Sequence, residues 1–240
     1  MNGELLGQTV VCIGGSAGIG LETARRARAE GADVVLTGRD PDRLARAAAD
    51  VDAQHTAVFD ATDPAALHDF FAGLPGSIDH VLVTAGGPRY VPLLEMSAAD
   101  VREALSGHAV LGLEVARNAK AKMRPGGSLI LMGGTGGRRI DHRLGIVPAA
   151  TAALPAFTAS LALELAPIRV NLIAAGFVDT PLSAALLGTQ LEDRRTELRT
   201  TLPIGRVVGP QDVAALAVHL MVNTALTGAT YDIDGGQQFV

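Results

Sequence analysis

Val10-Val11-Cys12-Ile13-Gly14-Gly15-Ser16-Ala17-Gly18-Ile19-Gly20 is the stretch on which the reading of this chain turns. Four apolar residues, mostly β-branched, predict a buried strand. Gly14, Gly18 and Gly20 follow, and a helical pattern begins at Leu21. Strand, glycine turn and helix in that order make a site where an anion such as a diphosphate can approach backbone N–H groups. The helix N-terminus adds partial positive charge at the same place. A turn of this kind can equally join strand to helix with no ligand, so the remaining segments must decide.

The 240 residues suit a single α/β domain, 1–240, with a large core. Nearly half are apolar, and alanine and glycine are abundant, as expected for helices packed closely on a sheet. A formal charge of −5 argues against a nucleic-acid surface. Cys12, the one cysteine, is expected to be a buried, inert thiol. The sequence shows neither a signal peptide nor an apolar run of bilayer length, so a cytoplasmic protein with no membrane partner is expected. No metal-ligand set is read from it.

Strands and helices alternate along the chain. Strands are predicted at Thr9–Ile13, Asp33–Thr37, Thr56–Phe59, Asp79–Thr84, Ser128–Met132, Ile168–Ala174 and Ala229–Asp234. The first helix runs from Ile19 to Glu30, with Gly31 ending it. Pro41 and Pro64 stand at helix starts, Asp63 and Ser97 at N-caps. A long helix from Ser97 is expected to reach about Met123, where Pro125-Gly126-Gly127 breaks it. A second, from Pro148 to Ala166, should kink at Pro155 or be locally broken there. Such alternation predicts a doubly wound parallel sheet, the Rossmann-type fold, with helices on both faces and ligands at the carboxyl ends of the strands.

At the end of the second strand, Thr37-Gly38-Arg39 stands where a dinucleotide fold meets the adenosine ribose. A carboxylate there would accept from a 2′-hydroxyl, whereas Arg39 can pair with a 2′-phosphate. NADP(H) is therefore preferred, with NAD(H) use left open by the adjacent Asp40. A solvated arginine in a helix-leading turn is the plainer alternative.

Five motifs, Gly14/Gly18/Gly20, Asp60, Ala85-Gly86, Gly176 with Thr180, and Asp234-Gly235-Gly236, resemble those of the short-chain dehydrogenase/reductase family, and the resemblance covers essentially the whole chain. It implies strand order 3-2-1-4-5-6-7 and a homodimer or homotetramer built on the helices near 97–123 and 148–166. It also implies a helical substrate lid near 182–201. The cofactor-binding positions it implies, together with those read above, are Gly14, Ser16, Gly18, Ile19, Gly20, Arg39, Asp60, Ala61, Ala85, Gly86, Gly87, Thr151, Gly176, Val178 and Thr180. Asp60 would take the adenine amino group. Thr84 and Ala175 stand where the family usually has Asn and Pro.

The family's catalytic Ser, Tyr and Lys have no counterpart. Counting back from Ser160-Leu161-Ala162-Leu163-Glu164-Leu165, the Tyr position falls on Val147, the Lys position on Thr151 and the Ser position on Gly134. Realignment cannot restore the pair, because the lysines are Lys120 and Lys122 and the tyrosines Tyr90 and Tyr231. Val147 has no proton to give, and Thr151 carries no charge to depress a neighbour's pKa.

Other groups near the site are Thr135, the hydroxyl next to Gly134; His108, beside the supporting-Asn position at His108 or Ala109; His142; and Tyr90. Each has a plainer role: His108 bonded to a carbonyl within its helix, His142 at the surface, Tyr90 in packing. Arg138, Arg139 and Arg143 are candidates for an acidic substrate, or for solvation and pairing with Asp141. Two functions follow. One is an atypical NADP(H)-dependent oxidoreductase acting on a small organic substrate without the Tyr/Lys relay. The other is a cofactor-binding protein that performs no redox step.

Overall fold

The computed structural model describes residues 3–138, 140 and 144–240. Its centre is a seven-stranded parallel sheet in the order β3-β2-β1-β4-β5-β6-β7, as expected. The strands are β1 Thr9–Ile13, β2 Asp33–Gly38, β3 His55–Val58, β4 Ile78–Val83, β5 Met123–Gly134, β6 Arg169–Ala175 and β7 Thr230–Ile233.

Residue alternation along β1 divides the core. Val10 and Cys12 point to one face, packing with Ala24, Leu36, Val213 and Ala217. Val11 and Ile13 point to the other, with Phe71, Leu111, Leu129 and Leu161. Helices α1 Gly18–Ala29, α2 Pro41–Val51 and α9 Pro210–Val222 cover the first face. The second carries α3 Pro64–Gly73, α4 Ala98–Ala119, α5 Val147–Ala152 and α6 Leu154–Leu165. Burial pushes the Cys12 thiol up to about 12, so it is inert.

Helix ends follow local chemistry. The carboxylates of Asp40 and Asp63 cap α2 and α3 ahead of Pro41 and Pro64. Ser97 and Asp100 form a reciprocal capping box at α4. Beyond β6, α7 Pro181–Leu187 and α8 Leu191–Thr201 occupy the expected lid segment.

Two expectations are corrected. Helix α4 ends at Ala119, and Met123 already pairs with Ile78 as the start of β5. Pro125-Gly126-Gly127 therefore lies inside the strand, where the register shifts between Ile78 and His80. Asp79 organises this irregularity: its carboxylate accepts from Arg124 at 2.6 Å and from the Thr9 amide at 2.8 Å. Secondly, Val147–Leu165 is a 19-residue helical stretch of mean hydropathy 1.2, long and apolar enough by those measures to cross a membrane. It is broken at Ala153, ahead of Pro155, and lays Leu154, Thr158, Leu161, Ala162 and Leu165 into the protein interior.

Candidate functional site

The glycine turn is held against the ends of three strands. The Gly15 amide donates to the Thr37 carbonyl at 2.9 Å, and the amides of Thr84 and Ala85 both donate to the Ile13 carbonyl. Gly14 has φ +95°, and a Cβ there would lie 2.8 Å from Thr84 Oγ1 and 2.9 Å from the Ala85 nitrogen. A Cβ on Gly20 would strike the Gly14 carbonyl and lie 2.7 Å from Thr84 Oγ1. Thr84 Oγ1 itself lies 3.2 Å from the Ile13 carbonyl oxygen and 3.0 Å from that of Gly14, donating into the turn. Glycine at Gly14 and Gly20 is therefore required for the turn to pack against itself and against Thr84 and Ala85.

Other expected cofactor residues gather round this floor. Gly18 lies beside Thr180, whose Cβ would be 3.4 Å from a Cβ on the glycine. Thr180 also caps α7, accepting from the Ser183 amide at 3.3 Å. Gly87 meets Leu182 of α7 at a similar separation, so the lid segment reaches the loop after β4. Val178 is buried and bridges to Val208. Gly176 packs on Asp234, and the Phe177 amide donates to Gln237 Oε1 at 2.8 Å. Ile19 packs on the α1/α9 core, Ala85 on the opposite one, and Gly86 turns the chain at φ +92°. Gln237 was invisible to sequence reading because it reaches Phe177 from 60 residues away.

At the end of β2, Ser16 is nearly buried against Gly38. Arg39 is largely exposed and lies 4.0 Å from the Asp60 carboxylate. Asp60 Oδ1 accepts from the Thr62 amide at 2.9 Å and hydroxyl at 2.8 Å, which holds its carboxyl below the usual range. Ala61 beside it is buried. Asp40 Oδ1 accepts from the Arg43 amide at 2.9 Å, a bond that also lowers its pKa.

Gly134, Val147 and Thr151 come together at the end of β5 and the start of α5. A Cβ on Gly134 would lie 3.4 Å from Thr151 Cγ2, and one on Gly136 3.7 Å from Val147 Cγ1. Thr151 is buried, and its hydroxyl donates to the Val147 carbonyl at 2.9 Å, with the Pro148 carbonyl at 3.2 Å. A cavity of about 180 Å³ lies between Gly134, Thr151, Pro155 and Thr230. Thr135 is buried in the short turn after β5.

The remaining candidates contribute less. His108 is half-buried on α4; burial lowers its pKa, and its ring has no hydrogen bond among the described residues, contrary to the carbonyl bond expected. Loss of water around Tyr90 raises its phenol, with Arg194 nearby opposing the shift. Arg138 is exposed and pairs with Asp232 of β7, a partner the sequence reading did not name. His142, Arg139, Asp141 and Arg143 lie outside the described residues.

The profile of a family described as enoyl-(acyl carrier protein) reductase matches residues 14–238. Carbonyl reductase family member 4 of Xenopus tropicalis is 30% identical over 239 residues, 96% of this chain and 98% of that one. The NADP-dependent (R)-specific alcohol dehydrogenase of Lentilactobacillus kefiri is 29% identical over 251 residues, 98% of each chain. A solved small-chain dehydrogenase in complex with NADPH superposes with a TM-score of 0.80 at 27% identity, covering 97% of this chain and 99% of that one.

Proposed function

The chain belongs to the short-chain dehydrogenase/reductase family of oxidoreductases, and from that premise we propose that it is an NADP(H)-dependent member working without the family's Tyr/Lys proton relay. One observation carries this reading: a complete glycine cradle at Gly14–Gly20 stands beside a site whose Gly134, Val147 and Thr151 offer no acid. Arg39 and the commitment of Asp40 to its own helix cap favour the 2′-phosphorylated cofactor. So do the name of the Lentilactobacillus relative and the NADPH bound to the solved dehydrogenase.

When bound, the dihydronicotinamide supplies the hydride, which is the difficult part of the chemistry. The chain's residues bind and orient it. The turn amides and the α1 N-terminus would receive the diphosphate, and Gly176, Val178 and Thr180 would hold the nicotinamide end. Val147 presents methyl groups where the family's phenol would stand, and the Thr151 hydroxyl is spent on its own helix. The substrate is a small electrophile that needs no proton from the protein: an iminium ion, or a conjugated alkene that takes its proton from water. Helices α7 and α8 would form the lid over it.

Fluorescence titration with NADPH and NADH, followed by turnover of iminium, enone and carbonyl substrates, tests the proposal. NADPH-selective binding with turnover of the first two classes is expected. Failure to bind either cofactor at millimolar concentration would overturn it. The second reading is a cofactor-binding protein without redox chemistry. The joint replacement of all three catalytic side chains favours it, and tight NADPH binding with no turnover of any class would establish it.

A further inference from the structure

We infer that Asp179 and Arg195 are positioning residues, a two-pronged latch that holds helix α8 against the segment 176–180 and makes the lid and the proposed nicotinamide seat one mechanical unit. The latch stands on geometry alone; its link to cofactor binding rests on the NADP(H) reading above and deepens it.

Helix α8, Leu191–Thr201, makes a weakly seated cover. Its residues that turn away from water are Leu191, Arg194, Arg195 and Leu198, spaced i, i+3, i+4 and i+7. That spacing is the inward stripe of a helix laid on a core, yet its two middle positions carry guanidinium groups. Leu198 is the one buried side chain of the helix, and Leu202 follows it into the interior. Apolar packing therefore anchors the C-terminal end of α8, while the N-terminal end has only half-buried Leu191. Gly188, at φ +52°, precedes that end in a conformation that favours glycine.

Arg195 supplies the missing anchor. Its Nε donates to Asp179 Oδ2 at 2.9 Å and its Nη2 to Asp179 Oδ1 at 2.8 Å, a fork on both carboxylate oxygens. Its Nη1 donates to Glu192 Oε2 at 3.2 Å, so a carboxylate of its own helix holds the guanidinium in orientation. Among the described residues this is the one ion pair that joins α8 to the rest of the protein. Arg194 pairs with Glu197, and Arg199 with Glu192, both within the helix.

The acid side of the latch is rigid. The Asp179 amide donates to the Val208 carbonyl at 2.9 Å, beside the bridge between Val178 and Val208. Thr180 Oγ1 accepts from the Ser183 amide, and the Ser183 hydroxyl donates to the Val178 carbonyl. Asp179 thus stands between Val178 and Thr180, the two residues proposed above for the nicotinamide end. A carboxylate fixed at that place, and a guanidinium on a helix with one buried side chain, give the lid a defined closed position.

The test is amide hydrogen exchange, read peptide by peptide, on the wild type, Asp179→Asn, Arg195→Gln and Arg195→Lys, each with and without saturating NADPH. Without cofactor, exchange over 189–197 should rise about five- to tenfold in Asp179→Asn and Arg195→Gln, the scale of one lost fork at a partly exposed site. Peptides from β1, β5 and β6 should be unchanged. Arg195→Lys keeps the charge without the fork and should fall between. Unchanged exchange over 189–197 in both neutral variants would refute the latch. A rise throughout the sheet would show that the pair serves global stability instead, and would refute it as well. With NADPH, the wild type should gain protection at 14–20 and at 189–197 together, and Asp179→Asn should keep the first and lose the second. Cofactor protection of 189–197 in both proteins alike, or in neither, would overturn the link between lid and seat. If NADPH protects 14–20 in no protein, the NADP(H) reading fails and the link with it, while the cofactor-free comparison still decides the latch.

Discussion

The Thr151 hydroxyl donates to the Val147 carbonyl one helical turn before it, at 2.9 Å. By the family resemblance these are the Lys and Tyr positions, and here the hydroxyl bonds only within its own helix. A threonine bonded back in this way presents its methyl group outward. Neither side chain carries a titratable group.

That silence gives the first prediction. The triple variant Gly134→Ser/Val147→Tyr/Thr151→Lys restores a phenol, a cation and a hydroxyl to one corner. A Cβ on Gly134 meets its nearest atoms at 3.4 and 3.5 Å, so serine is accommodated with little movement. NADPH oxidation with small aldehydes and ketones should rise by about 10²–10⁴-fold over the parent, the usual contribution of positioned acid–base groups. A folded, NADPH-binding triple variant with no gain would show that the surrounding pocket has been rebuilt as well as disarmed.

The second prediction concerns Thr84, which stands where the family usually has Asn. Its hydroxyl reaches the carbonyls of Ile13 and Gly14, and its Oγ1 sits against both Gly14 and Gly20. Thr84→Val removes this donor from the Gly14 carbonyl at nearly the same volume, while the Ile13 carbonyl keeps the Thr84 and Ala85 amides. The expected loss is about 1–2 kcal/mol of stability, with weaker cofactor binding because the turn is no longer clamped. Thr84→Ser should behave like the wild type. Urea unfolding and NADPH titration measure the two effects, and a Val variant indistinguishable from wild type in both would refute the clamp.

Much of this architecture was legible because its signals are local. Strand β1 appears at its predicted bounds, Gly31 follows α1 at φ +90°, and Asp63 and Ser97 cap the helices they were expected to cap. What escaped depends on residues far apart in sequence. Arg138 finds Asp232, and Phe177 finds Gln237, only after β6 and β7 are paired. The early end of α4 was hidden because the apolar pattern runs on through Ala119 to Met123; the pairing of Met123 with Ile78 decides the matter.

The third prediction addresses association, expected from the family resemblance. The outer surfaces of α4 and α6 carry apolar side chains in water: Leu163 is 83% exposed, Val110 51% and Leu105 43%. This also explains why Val147–Leu165 has membrane-like hydropathy with only 33% of it buried within the chain. Covering such a face with a second copy removes the cost of its exposure. Light scattering should find a homodimer or homotetramer, and Val110→Asp/Leu163→Asp should shift it to the monomer. A monomeric wild type at micromolar concentration would exclude this interface.

The last prediction lies at the opposite end of the sheet. His80 is buried between Ser128 Oγ, 2.8 Å from Nδ1, and Gln8 Oε1, 2.6 Å from Nε2. Gln8 Oε1 only accepts, so Nε2 carries the proton and Nδ1 takes the serine hydroxyl; the ring is neutral. Burial depresses its pKa to about 4, with Asp79 opposing the shift and Arg169 adding to it. In the unfolded chain the same imidazole titrates near 6.5. Between those values the unfolded state binds the extra proton, so stability falls as pH drops from about 6.5 to about 4, and this contribution is fully lost below that. The size is on the order of 2–3 kcal/mol. His80→Gln removes the titrating group. Urea unfolding of both proteins across pH 4–7 should give a slope in the wild type that is shallower in the variant by about that amount. Parallel pH profiles would mean that His80 titrates normally and that the buried, neutral ring is wrong.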